Sequence, residues 1–228
     1  MKNTRFEIIK NAVTDIDGNF YDGIKINGKL WMASNLRTTR FNDGTSIKRF
    51  ASSDGGRKPY FEYPDVDKSN LNDYGLYYNF EAVNTGLLAP KGWHVPSKEE
   101  WEGLFAFIAQ QPDYNLDVNN KTAFGSHIAK SLCSKTGWDS DTKIDAVGNN
   151  QALNNATGFN IFPSGYWNPM SSAGYRVGRY THFWSTAPHA STADNAWGVR
   201  TYYNLSDMRQ GSNSRFYGFS VRCVCNEQ

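Results

Sequence analysis

Hydrophobic positions recur along this chain with two different periods. The helical period is clearest after residue 97, where Trp101, Leu104, Phe105 and Ile108 fall at i, i+3, i+4 and i+7 and make one apolar face. Ser97 and Glu100 stand at capping-box spacing in front of it. The pattern predicts a helix from about Lys98 to Gln110 that stops before Pro112. A second helix is expected over 123–134, with Phe124, Ile128 and Leu132 inward and Cys133 beside them.

The remaining apolar positions alternate with period two or sit in short aromatic runs. Thr14–Tyr21 and Gly23–Met32 flank the tight-turn pairs Asp17-Gly18 and Asn27-Gly28 and read as a β-hairpin. Further strand candidates are Phe6–Ile9, Phe159–Phe162, Gly165–Trp167, His182–Trp184, Ala196–Tyr203 and Phe216–Val224. Residues 50–73 are polar and rich in Gly, Pro, Ser and Asp, and read as an ordered surface loop. The expected core comprises Trp31, Tyr77, Trp93, Trp101, Leu104, Phe105, Ile128, Phe159, Phe183, Trp184, Trp197, Phe219 and Val221. In a regular strand, Trp197 and Val199 point inward and Gly198 and Arg200 outward.

Composition sharpens this. The 228 residues suit one domain, and 39% hydrophobic with 20% charged content permits a packed core. With 13 Tyr, 14 Phe and 7 Trp, large flat side chains must fill much of that core and part of the surface. A formal charge of +2 gives no electrostatic case for nucleic acid. Three cysteines permit one bridge and one spare thiol, and no C-x-x-C indicates a zinc or thioredoxin-type site. No apolar run approaches the roughly 20 residues needed to span a bilayer. The first residues lack the apolar run of a signal peptide, so the protein is either cytoplasmic or separated from a leader.

Candidate chemistry is sparse. Asp15, Asp17 and Asn19 alternate like a calcium loop, but the later ligands and bidentate Glu are absent, which favours a turn. Glu99 and Glu100 are helix-start acids that complement the dipole. His94, between Trp93 and Val95, reads as a hydrogen-bonded core histidine. No G-x-S-x-G, phosphate loop or HExxH occurs. No cofactor is indicated.

Seven blocks appear together and in order: Asp15–Asn19, Trp31–Leu36, Tyr77–Asn79, Gly92–Pro96, Gly158–Asn160, Phe183–Ser185 and Gly218–Cys223. This series resembles the Fibrobacter succinogenes major paralogous domain, abundant in secreted proteins and lipoproteins of Bacteroidetes and Fibrobacteres. The resemblance covers residues 14–225, so the expected division is an extension or strand at 1–13 and the domain at 14–228. It implies an α+β, loop-rich C-type lectin-like fold, with two helices packed on small twisted antiparallel sheets and the N- and C-terminal strands paired. It also implies an extracellular or cell-surface location, with membrane contact only through a lipid anchor outside this sequence.

The family commonly carries Cys where this chain has Ala89, as partner of the one matching Cys223. With that partner missing, positions 223 and 225 share a strand face and Cys133 could reach either. A relocated Cys133–Cys225 bridge is favoured, closing a loop of about 90 residues worth roughly 4–5 kcal/mol in the entropic account. The fold relationship also raises two minor alternatives. One is a metal-dependent enzyme related to formylglycine-generating enzymes, with Cys223 and Cys225 joined by His182 or His189; the Asn-Val-Trp-Glu-Trp-type segment of those enzymes is missing. The other is calcium-dependent sugar binding at Gln111-Pro112-Asp113, which matches the galactose-selective tripeptide of animal C-type lectins but lacks its Trp-Asn-Asp partner.

In such folds the late strands and loops form a ligand face. Here that stretch holds Tyr166, Trp167, Asn168, Tyr175, Arg176, Tyr180, His182, Arg200, Tyr202, Tyr203, Asn204, Asp207, Arg209, Asn213, Arg215 and Phe216, side chains that make adaptable contacts in binding surfaces. The expectation is a non-enzymatic recognition or adhesion domain for a protein or glycan ligand, its face diversified by a retroelement as in some relatives. The alternative is a structural module of a surface lipoprotein or of a pilus or fibre assembly.

Overall fold

Strands β1 (Glu7–Thr14), β2 (Phe20–Ile26) and β3 (Lys29–Met32) form an antiparallel meander at the start of a computed structural model that describes residues 6–65, 68–111 and 127–226. Asn27 and Gly28 both take positive φ, 51° and 77°, the geometry a two-residue hairpin loop needs. The β1–β2 turn is locked by Asp15. Its carboxylate accepts from the backbone N–H of Asp17 and Asn19 at 2.9 and 3.0 Å and from the Tyr21 hydroxyl at 2.5 Å. Asp17 is held by Thr39 and by an ion pair to Arg40. Protein donors therefore fill the two carboxylates that sequence spacing offers to calcium.

The next elements are β4 (Lys48–Arg49), β5 (Tyr60–Glu62), α1 (Leu71–Tyr74), β6 (Tyr77–Tyr78), α2 (Phe80–Asn84) and β7 (Trp93–His94). Helix α3 (Lys98–Ala109) follows, with the Ser97–Glu100 capping box formed in both directions. After α4 (Ala129–Leu132) come β8 (Tyr166–Asn168), β9 (Ala173–Tyr175), β10 (Tyr180–Pro188), β11 (Asn195–Tyr202), β12 (Arg209–Ser214) and β13 (Val224–Cys225). Among the described residues the sheets are ordered β1-β2-β3-β13-β7, β10-β11-β12, β4-β5-β6 and β8-β9.

Two clusters make the core. One centres on Trp184 stacked over Phe219 at 4.3 Å and edge-on to Phe80. The other places Trp101 of α3 against Trp31 and Phe183, at 5.1 and 5.6 Å, with Val199 and Phe159 nearby. Arg222 is wholly buried between Phe159 and Phe183, and its guanidinium donates to Asn35 Oδ1 and to the carbonyls of Phe159 and Asn160.

This architecture corrects the α+β, two-helix, C-type lectin-like expectation: the fold is β-rich, with thirteen strands in four sheets among the described residues. Among the described residues α3, at 12 residues, is the only helix longer than five. The second expected helix reduces to Ala129–Leu132, its earlier part lying outside the described residues. The carbonyls of Lys130, Ser131 and Leu132 accept from the N–H groups of Asn155, Thr157 and Ile161, and Cys133 turns extended. With its carbonyls taken by a remote loop, the segment cannot propagate as a helix. Pro112 and Asp113 of the calcium tripeptide also lie outside the described residues.

Four smaller expectations change. Trp197 shares a strand face with Val199, but it lies at the start of α3 and is only half-buried, with the Lys98 ammonium 5.1 Å from its ring centroid. The polar stretch 50–73 contains β5, whose Tyr60, Phe61 and Glu62 are buried. His94 is partly exposed, held between Asn226 and Glu100. All three cysteines are free: Cys133 and Cys223 sit in different core clusters, while Cys225 reaches the edge of the cluster holding Cys223 and Ala89. The Cys133–Cys225 bridge is thus not formed.

Candidate recognition face

In the β10-β11-β12 sheet, period-two alternation separates two tasks. Phe183 and Val199 face α3 and the second core cluster. On the opposite face the register aligns Tyr180 with Tyr202, His182 with Arg200, and Arg200 with Arg209. The first core cluster covers this face near Trp184 and crops out at its other end, where Phe219 lies 4.7 Å from the His182 ring.

The outcrop is a run of rings. Tyr175 stacks on Tyr166 at 5.7 Å and 17°, and Tyr166 stacks on His182 at 5.3 Å and 23°. Tyr180 and Tyr202 lie 4.4 Å apart beside His182, and Arg176 sits over Tyr180 at 5.6 Å. The β8-β9 hairpin reaches the sheet because Gly165 turns with φ +72°, where a Cβ would run into the Tyr175 carbonyl. Tyr217, outside the expected site, tilts against Tyr166 at 5.8 Å. Its alternation with Phe219 was the available signal.

Polar groups on this face lack partners. His182 is buried and neither ring nitrogen has a hydrogen bond. Burial first, then the adjacent Arg200 charge, depresses its pKa to about 3, so it is a neutral ring at ordinary pH. Arg200 Nε is sealed off without an acceptor, and Nη1 makes only a 3.3 Å bond to Asn213 Oδ1. The hydroxyls of Tyr166, Tyr175, Tyr180, Tyr202 and Tyr217 have no partner among the described residues.

The structure thus brings together Tyr166, Tyr175, Arg176, Tyr180, His182, Arg200, Tyr202 and Asn213. It disperses the rest. Trp167 turns away to pack on Phe50 at 5.7 Å, and Asn168 caps its own turn. Tyr203 accepts from Arg179, which lies over its ring, and Asn204 is in an exposed turn. Asp207 and Arg209 pair with each other near the end of β12. Arg215 is engaged by Glu81 at 2.6 Å over the Phe80 ring, and Phe216 lies under Arg57 against Gly56. Among the described residues no group of three His, Cys, Asp or Glu side chains is placed to hold a metal ion, and no helix is long and apolar enough to cross a membrane.

The architecture defines a β-rich domain carrying one aromatic and arginine face. The family model described as the Fibrobacter succinogenes major domain matches residues 24–225, and the chain belongs to that family. No curated protein and no solved structure matches it.

Proposed function

We propose that this is a non-enzymatic recognition domain, secreted or displayed at the cell surface, that binds a glycan or protein through the Tyr166–Tyr202 face. One observation carries the reading: five tyrosine hydroxyls without partners among the described residues lie along a continuous, half-exposed run of rings. Tyrosine presents large contact area at small entropic cost, and an exposed phenol offers both a flat apolar surface and a hydrogen-bonding tip. The test is a glycan and surface-protein array probed with the chain and with Tyr166→Ala/Tyr202→Ala. A ligand bound by the first and lost by the second, with both still folded, supports the face; a ligand retained by the double variant refutes it.

A scaffolding role has its own supporting observation. Ile8 and Phe20, 54% and 61% exposed, flank one shallow depression at the β1 edge of the large sheet. Replacing both with Lys would abolish an assembly made there and leave ligand capture by the tyrosines intact.

A further inference from the structure

The recognition face carries positive charge that the protein does not neutralise. Among the described residues neither Arg176 nor Arg200 has an acidic partner, and Asp207, just ahead of β12, is already engaged by Arg209. Arg176 is exposed beside Tyr180.

Arg200 is held in a defined pose. A Cβ built on Gly211, its diagonal neighbour on β12, would lie 2.7 to 3.1 Å from Nη1, Cζ and Nη2 alike. The guanidinium therefore lies flat across the bare glycine backbone, made possible by the absence of a side chain there. Of its five N–H donors, only Nη1 has an acceptor among the described residues, the neutral Asn213 amide oxygen. A guanidinium fixed in this way next to a buried, unpartnered His182 and a run of phenols without partners among the described residues is a built site for an oxyanion adjoining a hydroxylated ring.

We infer that the ligand of this face is an acidic saccharide, its sugar ring against the tyrosines and its carboxylate or sulfate on Arg200, with Arg176 adding field. This rests on the recognition reading above. The free phenolic hydroxyls favour a hydroxyl-rich ligand over an apolar protein anchor, whose contacts would leave them unpaired.

The test compares polygalacturonate with its methyl ester, which shares the backbone without the charge, and dextran sulfate with dextran. Binding of the 228-residue chain is measured by titration at low and high salt. The charged member of at least one pair should bind about ten- to a hundredfold tighter than its neutral counterpart, and whichever pair shows this tells carboxylate from sulfate. Arg200→Gln should remove the difference. Gly211→Ala should weaken acidic-saccharide binding with unchanged melting, because only the flexible end of Arg200 has to move, so loss there is not loss of the fold. Equal binding of charged and neutral saccharides, blocked by Tyr166→Ala, overturns the anion assignment and leaves the recognition reading standing. An undiminished preference in Arg200→Gln also overturns it. If no saccharide binds while an array protein is captured through the tyrosines, the saccharide class is refuted. If neither is captured, the recognition reading fails with it.

Discussion

Arg222 and Asn35 lie 187 positions apart in the chain and meet in its interior, Nε donating to Oδ1 at 2.9 Å. The remaining guanidinium donors satisfy two carbonyls at Phe159 and Asn160, so one side chain closes three acceptors with no acidic partner among the described residues. Removing it strands all three. Arg222→Met is expected to cost roughly 3–5 kcal/mol in denaturant unfolding, and Arg222→Lys less, since an ammonium keeps the charge but not the fork.

Stability should depend on pH through His94 and Glu100. The bond from Glu100 raises the His94 pKa above 6.5, against the opposing effect of burial. Burial works to raise Glu100, but bonds from His94 and from the Ser97 N–H outweigh it and hold the carboxylate at about 2. The histidine contribution is complete below 6.5 and lost as pH rises through its folded value. The glutamate contribution is complete above 4.5 and lost as pH falls toward 2. Melting temperature against pH should therefore be highest between about 4.5 and 6.5 for this pair, and His94→Gln should flatten the alkaline limb. An unchanged limb would mean the pair contributes nothing.

Thiol titration checks the cysteines. Burial pushes both Cys133 and Cys223 well above the usual thiol range, and both are fully covered. Native protein that has never met reductant should show rapid reaction at Cys225 alone, and three reactive thiols after unfolding. A single thiol after unfolding would demonstrate a bridge.

Tyr175 closes the outer end of the ring stack and is only partly covered. Tyr175→Ala should weaken ligand capture about tenfold while changing stability by about 1 kcal/mol or less. Gly165→Ala should do both kinds of harm, because its left-handed backbone and the Tyr175 carbonyl leave no room for a methyl group. Equal melting of Gly165→Ala and the parent would contradict the hairpin geometry.

What could be read in advance follows from how local each cause is. The capping box at Ser97 and Glu100, the α3 face and the Asn27-Gly28 turn are decided within a few residues, and each forms as expected. Strand β12, Arg-Gln-Gly-Ser-Asn-Ser, carries no apolar alternation and is a strand only because β11 supplies its partner. Tyr60-Phe61-Glu62 is buried by long-range contacts, among them the Arg49–Glu62 ion pair. The truncation of the second helix depends on donors more than twenty residues away, at Asn155, Thr157 and Ile161. For the face, residue type was informative and neighbourhood was not: Tyr166, His182 and Tyr202 converge, while Arg215 and Phe216, equal in composition, are spent on packing.

The strict alternation of β11 has a further use. Val199 and Thr201 are committed to the interior, whereas Arg200 and Tyr202 lie half-exposed on the opposite face, against that face's own residues Gly211, Asn213, Tyr180 and His182. A combinatorial library randomising 200, 202 and 213, with 199 and 201 held constant, would vary affinity while drawing little on folding stability. On the recognition reading proposed above, such a sheet can change its specificity one residue at a time, and the hydrophobic half of the same strand need never be rewritten.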